Sequence, residues 1–117
     1  MKKLILTAIK CDGLANGETK KFVPYFRGIP IGAPVEVTKN WRQWGNPAQI
    51  PGSKPTANVP VNVRGKIDLR SVNNDPLYES RQEVSHDNPG NKQTAFTPAN
   101  GATSNVNHVP KLKFTVE

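Results

Sequence analysis

The sequence contains a single cysteine, Cys11, among its 117 residues. An intrachain disulfide is therefore impossible, and metal sites built from several cysteines are excluded. Cys11 ends a strand-like run, where we expect a buried and unreactive thiol. The only histidines, His86 and His108, lack the close spacing of a histidine metal site. We therefore predict that the protein holds no metal and needs no cofactor.

Long apolar runs are also missing. No segment approaches the roughly 18 apolar residues of a membrane-spanning helix. Lys2 and Lys3 precede an apolar stretch, but Lys10 and Asp12 end it too early for a signal peptide. We expect a chain made as a soluble cytoplasmic product, with incorporation into a particle as an open alternative. Its final location is not fixed by these features.

Recognisable catalytic motifs are lacking as well. Ser85, His86 and Asp87 carry the groups of a nucleophilic relay, but adjacent side chains point apart and cannot form one. The sequence has no glycine-rich phosphate loop and no paired-carboxylate signature. We predict that the protein is not an enzyme and has no small-molecule substrate.

Short strand-like runs, separated by many of the 11 prolines and 9 glycines, fill the chain. Residues 59–69 alternate apolar and polar side chains, with Gly65 as an expected bend. Residues 3–11 are apolar on both faces, which favours a strand covered on both sides. Pro24 lacks the N–H of a central strand, so its strand is expected at a sheet edge. Helical periodicity does not extend over ten residues anywhere.

These patterns predict an all-β fold with one domain over residues 1–117. We expect a single antiparallel β-sandwich with long loops rich in proline and glycine. Residues 88–108 are polar, and we predict a long loop or arm there.

The chain resembles the start of a C2-type β-sandwich domain in two short motifs, "LILTAIKCDGL" and "VPYFRGIPIG". The later "GKIDLRSVNNDPLYES" resembles the strand and loop that carry a second acidic cluster in C2 domains. Val23, however, stands where the family has an aspartate before Pro-Tyr. Ser71 and Asn73 stand about where its alternating aspartates belong, and only Asp75 is acidic there. Calcium needs six to eight oxygen ligands, so the resemblance implies a calcium-independent module. With this resemblance, we expect the predicted sandwich to be C2-like or jelly-roll-like.

The net charge of +7 favours anionic partners. Residues 1–58 contribute +6 and residues 59–117 only +1. Arg64, Lys66 and Arg70 share one face of a predicted strand and are candidate contacts to an anion, such as a row of phosphates. They are equally placed to pair with acids on a neighbouring strand.

Both tryptophans lie in "NWRQWG", so Trp41, Arg42 and Trp44 are a candidate protein interface. The alternatives are a local core over the sheet edge, or stacking on bases or sugars. The leading functional hypothesis is a non-catalytic structural protein. It would be a small subunit of a virion, injection apparatus or surface layer that acts through protein–protein contacts, as a homo-oligomer or in a larger assembly. The alternatives are a C2-like module on anionic membranes and a basic nucleic-acid-binding β-protein.

Overall fold

The computed structural model describes residues 1–102 and 105–117. The described chain is built of strands and turns without a helix. The ten strands in chain order are β1 (Lys2–Asp12), β2 (Lys20–Phe26), β3 (Ile29–Pro30), β4 (Val35–Val37), β5 (Arg42–Gln43), β6 (Thr56–Val59), β7 (Arg64–Arg70), β8 (Pro76–Ser85), β9 (Gly90–Pro98) and β10 (Val109–Val116). The described residues therefore offer no helix with the length and apolar character to cross a membrane.

All ten strands belong to one antiparallel sheet. Its path runs β3-β2-β7-β8-β9-β10-β1-β5, with β4 also paired to β2 and β6 also paired to β1. The predicted all-β antiparallel fold is confirmed. The predicted two-sheet sandwich, C2-like or jelly-roll-like, is wrong, because the sheet curls strongly into a half-barrel. Strand twist and β-bulges together produce such curling.

The core lies on the concave face of this sheet. Its largest fully buried side chains include Phe22, Phe96 and Phe114 from β2, β9 and β10. Cys11 is fully buried and donates to the Asp12 carbonyl at 3.8 Å. This confirms the prediction of a buried cysteine, and the burial raises the pKa of the thiol to about 11.

A bulge in β1 explains why residues 3–11 are apolar at both odd and even positions. The register against β10 shifts between Leu6 and Ala8. An inserted residue reverses the alternation of side chains, so Leu4, Leu6, Ile9 and Cys11 are all fully buried. The two-faced pattern therefore reflects a change of register as well as a covered outer side.

The alternating residues 59–69 do not form one strand bent at Gly65. Pro60–Val63 is a turn in which the Val63 N–H donates to the Pro60 carbonyl at 3.1 Å. Residues before this turn belong to β6 and residues after it to β7, which lie in opposite halves of the sheet. Val61 continues the alternation but is 60% exposed. The periodic pattern thus came from two strands in succession.

Residues 88–108 are not one long loop, because β9 occupies Gly90–Pro98 and pairs with both β8 and β10. Its inward positions include Thr94, which is buried although polar. The Thr94 hydroxyl accepts from the Gln82 N–H at 3.1 Å. Asn88 and Pro89 precede β9, and residues 99–102 and 105–108 connect β9 to β10. Residues 103–104 of the predicted loop lie outside the described residues.

Pro24 lies inside β2, which is not an edge strand. One side of β2 pairs with β7, and its other side pairs first with β4 and then with β3. The Pro24 carbonyl accepts from the Ile31 N–H at 2.8 Å on the β3–β4 side. In an extended strand, the N–H and C=O of one residue point to the same side. The missing N–H therefore lies on the β3–β4 side, opposite Ile31 and between the two short partner strands.

The two ends of the curled sheet meet at one place and are separated by a cleft at another. Next to β4, the Thr38 carbonyl accepts from the Cys11 N–H of β1 at 2.8 Å. Farther along, β3 and β6 face a common cleft. We call this open stretch between β3 and β6 the seam.

Candidate interaction surfaces

The three residues of the predicted tryptophan interface have three different environments. Trp44 is only 6% exposed and belongs to the core cluster. The backbone N–H of Trp44 donates to the Thr7 carbonyl at 3.1 Å, which holds the loop after β5 against β1. Trp41 is half-buried on the outside of the sheet. The two indoles therefore do not form one exposed surface.

Arg42 binds backbone carbonyls on two separate segments. Its Nη1 donates to the Glu36 carbonyl of β4, and its Nη2 donates to the Gln49 carbonyl of the loop after β5. The planar guanidinium forms both bonds at once, which a lysine ammonium on a flexible chain does not reproduce. Arg42 thus clamps the two ends of the sheet together near the seam.

We expect Arg42→Lys to lower the free energy of unfolding by about 1.5 kcal/mol, because at least one charged hydrogen bond to a carbonyl is lost. Urea unfolding followed by tryptophan fluorescence measures this change. Arg81→Lys is the matched control at an exposed position of β8. Equal stability of the Arg42 and Arg81 variants would show that the clamp contributes nothing.

The Trp41 ring is flanked by two lysines. The Lys113 Nζ lies 4.6 Å from the ring centroid, and the Lys10 Nζ lies 5.2 Å from it. Ala8 pairs with Lys113 in the register and is buried on this outer face. Because cations already lie over the indole, the ring is less open to a stacked base than the sequence suggested.

Asp12 forms ion pairs with two lysines, Lys10 and Lys111. Its carboxylate lies 2.8 Å from the Lys111 Nζ and 3.0 Å from the Lys10 Nζ. The hydrogen bond from Lys111 is the main cause that lowers the pKa of Asp12 below 3.8, with Lys10 adding to it. A lowered pKa means that the ionised carboxylate stabilises the fold at neutral pH. This contribution is lost as the pH falls through the folded-state pKa.

We therefore expect Asp12→Asn to destabilise the protein at pH 7 by less than about 1 kcal/mol, since the pair is partly exposed. The difference from wild type should disappear once the pH lies below the folded-state pKa of Asp12. Urea unfolding at several pH values measures it, with Glu36→Gln as the control, because Glu36 is exposed and forms no ion pair within the described chain. A difference that stays constant down to low pH would mean that the ion pairs are not its source.

The predicted anion contacts on β7 are largely engaged with acids. The Lys66 Nζ lies 3.6 Å from Glu79 on β8, and Arg70 Nη2 lies 3.9 Å from Asp68. The Arg70 guanidinium also stacks on Tyr25, 4.1 Å from the ring centroid. Burial raises the pKa of Asp68, against the opposing charge of Arg70.

Arg64 lines a shallow depression together with two acids, Glu83 and Asp87. The three cations therefore share their face with carboxylates, as in the pairing alternative that the sequence left open. This arrangement reduces the positive potential available to a row of phosphates.

The loop that resembles the second acidic cluster of C2 domains is bonded internally. The Ser71 hydroxyl accepts from the Asp75 N–H at 3.1 Å and donates to the Asp75 carboxylate at 3.3 Å. Within residues 1–102 and 105–117, no three histidine, cysteine or acidic side chains are grouped in a metal-binding arrangement.

A basic depression of about 550 Å³ lies on the outer face of β9 and β10. Lys54, Lys92 and Lys113 line it with polar residues of neighbouring strands. The Lys92 ammonium donates to the Asn88 side chain at 2.8 Å. None of the residues that line this depression is acidic.

The seam is lined by residues that the sequence analysis did not select. It holds a cleft of about 450 Å³ between β3 on one wall and β6 on the other. Ile29 at this cleft is 65% exposed, and Met1 at the same cleft is 75% exposed. The available signal was two single apolar residues, a methionine and an isoleucine, which does not by itself indicate an interface.

No family model, curated protein or solved structure matches the chain. The C2 resemblance therefore rests on its short motifs alone. The single curled sheet also differs from the two-sheet sandwich that this resemblance implies.

Proposed function

We propose that the protein is a non-catalytic interaction protein that acts through protein–protein contacts as a small subunit of a larger assembly. The observation that carries this proposal is the open seam between β3 and β6, where unpaired strand edges and exposed apolar side chains lie together. Exposed strand edges pair readily with other chains unless the protein protects them. Exposed Ile29 and Met1 add apolar surface of the kind that partners bury.

Gel filtration of a nuclease-treated extract from cells that naturally make the protein tests this function. We expect the protein to elute at a mass well above the 12.8 kDa of a single chain. Nuclease treatment removes any apparent mass contributed by nucleic acid. Elution at the mass of one chain, before and after concentration of the extract, would refute the proposal.

A second candidate function is binding to an anionic surface, either a membrane or a nucleic acid. The basic depression around Lys54, Lys92 and Lys113 favours it, because three cations surround a concave region without an acidic side chain. Phosphates bound in this way are released by salt, since counterions compete for the same lysines.

The two sources of anionic groups are separated by two assays at low and high salt. One is flotation with phosphatidylserine vesicles, and the other is fluorescence anisotropy with a labelled single-stranded oligonucleotide. Lys54→Glu with Lys113→Glu should abolish the salt-sensitive signal in whichever assay shows one. Lys21→Glu, an exposed site on β2, provides the control. No salt-sensitive signal in either assay would remove this candidate.

A further inference from the structure

The backbone of β6 presents unused hydrogen-bonding groups to the seam. On its inner side, β6 pairs with β1, and the Leu6 N–H donates to the Pro55 carbonyl at 3.0 Å just before β6. The backbone N–H and C=O groups of successive residues point to alternate edges of a strand. Those of Ala57 and Val59 therefore also point to β1, like the Pro55 carbonyl. Thr56 and Asn58 therefore turn their N–H and C=O groups away from β1. They are exposed, and no other described strand pairs with them.

These four groups match an extended chain. Thr56 and Asn58 are two positions apart, so their groups repeat at roughly 6.8 Å, the repeat of an antiparallel ladder. The opposite wall cannot serve equally, because β3 has two residues and Pro30 has no N–H. Pro55 and Pro60 flank β6 and restrict pairing to its own four residues.

The charge of the cleft indicates what kind of extended chain would pair with the outer edge of β6. Lys3 and Arg27 line it, and no acidic residue does. Neither cation is in an ion pair within the described chain. A second copy of this protein would bring the same two cations to the contact. An acidic segment from a different protein would instead be attracted to it.

We propose that the outer edge of β6 accepts an extended segment of a partner protein by strand addition, with acidic side chains near Lys3 and Arg27 and apolar side chains against Ile29. This inference rests on the proposed function and names its binding site and the chemistry of its partner. Backbone pairing supplies affinity in this binding mode, and alternate side chains supply specificity.

Panning a random peptide library against the whole protein tests the inference. We expect enriched peptides in which acidic and β-branched residues alternate. In the complex with such a peptide, the amides of Thr56 and Asn58 should exchange with solvent more than about tenfold more slowly than in the free protein.

Two test variants, each with its own control, distinguish the contribution of the β6 backbone to binding from that of the two cations. Asn58→Pro removes the outward N–H and should weaken peptide binding about tenfold, whereas Asn58→Ala keeps that N–H and should bind normally. Lys3→Glu with Arg27→Glu should also weaken binding about tenfold. Lys21→Glu with Arg81→Glu makes the same charge change away from the cleft and should have no effect. Thermal unfolding verifies that each variant is folded.

Several outcomes would overturn the inference: no enriched peptide, peptides that bind the Asn58→Pro variant as tightly as wild type, or unprotected Thr56 and Asn58 amides. Self-association of wild type that Asn58→Pro abolishes would identify a second copy as the occupant and would also overturn it. A large complex in native extracts alongside any of these results would leave the proposed function standing. Elution as a single chain would instead refute the function without deciding whether β6 binds peptides.

Discussion

Gly13→Ala is expected to lower the free energy of unfolding by about 3 kcal/mol or more. Gly13 directly follows β1 and has a φ of +95°. A residue with a side chain is strained by roughly 1–2 kcal/mol in this conformation. A Cβ at this position would lie 2.2 Å from the Asn107 carbonyl oxygen and 3.2 Å from Cδ2 of His108. The first contact is with backbone, so the segment before β10 must move, at a further cost of about 1–3 kcal/mol.

The measurement is urea unfolding followed by tryptophan fluorescence. Gly17→Ala is the matched control, because Gly17 also has a positive φ of +78° but no atom within 4 Å of an added Cβ. It isolates the backbone strain from the steric clash. If both variants lost the same stability, the close approach of Asn107 to Gly13 would be refuted.

The sequence alone supports the strand content well and the strand arrangement poorly. Leu112, Phe114 and Val116 alternate with polar residues in the sequence, which is a strand pattern, and all three are buried on one face of β10. The two-faced apolar run at the start correctly predicted a strand. Its bulge was not foreseen, since an inserted residue changes the register without a distinctive residue type.

Two predictions, those for residues 59–69 and for residues 88–108, were wrong because the polarity of the residues in the sequence did not match their burial in the structure. Residues 59–69 alternate regularly although a turn divides them, so periodicity did not reveal which strands they join. Gly90–Pro98 was mistaken for part of a loop because the buried side of β9 includes Thr94, a polar residue. A hydroxyl buried with a hydrogen bond is tolerated in a core, but it removes the apolar signal.

The candidate sites were harder to predict than the strands. Trp41, Arg42 and Trp44 are neighbours in sequence, yet they contact lysines, backbone carbonyls and the core, respectively. The walls of the seam, by contrast, come from strands about 26 residues apart in the sequence that face each other only because the sheet curls. A surface created by such a closure has no continuous motif in the chain.

The Ser80 hydroxyl forms hydrogen bonds within the largest bulge of the described sheet. Bulges of this kind contribute to the curl of the sheet. Lys66 pairs with Glu83 and Asp68 pairs with Glu79, so three residues of β8 lie opposite Ile67 alone. The Ile67 N–H donates to the Ser80 hydroxyl at 2.9 Å, and that hydroxyl donates to the Gln82 carbonyl at 2.7 Å. Ser80 is fully buried, so no solvent replaces these bonds.

Ser80→Ala is therefore expected to lower the free energy of unfolding by about 2–3 kcal/mol, since it leaves the Ile67 N–H without its partner in the core. Urea unfolding measures the loss, and faster amide exchange at Ile67 locates it. Ser85→Ala is the control on the same strand at a less buried position. Ser80→Cys fills the space with only a weak donor and should recover little stability. If Ser80→Ala were as stable as Ser85→Ala, the bulge would be held by packing, and the curl of the sheet would not depend on this hydroxyl.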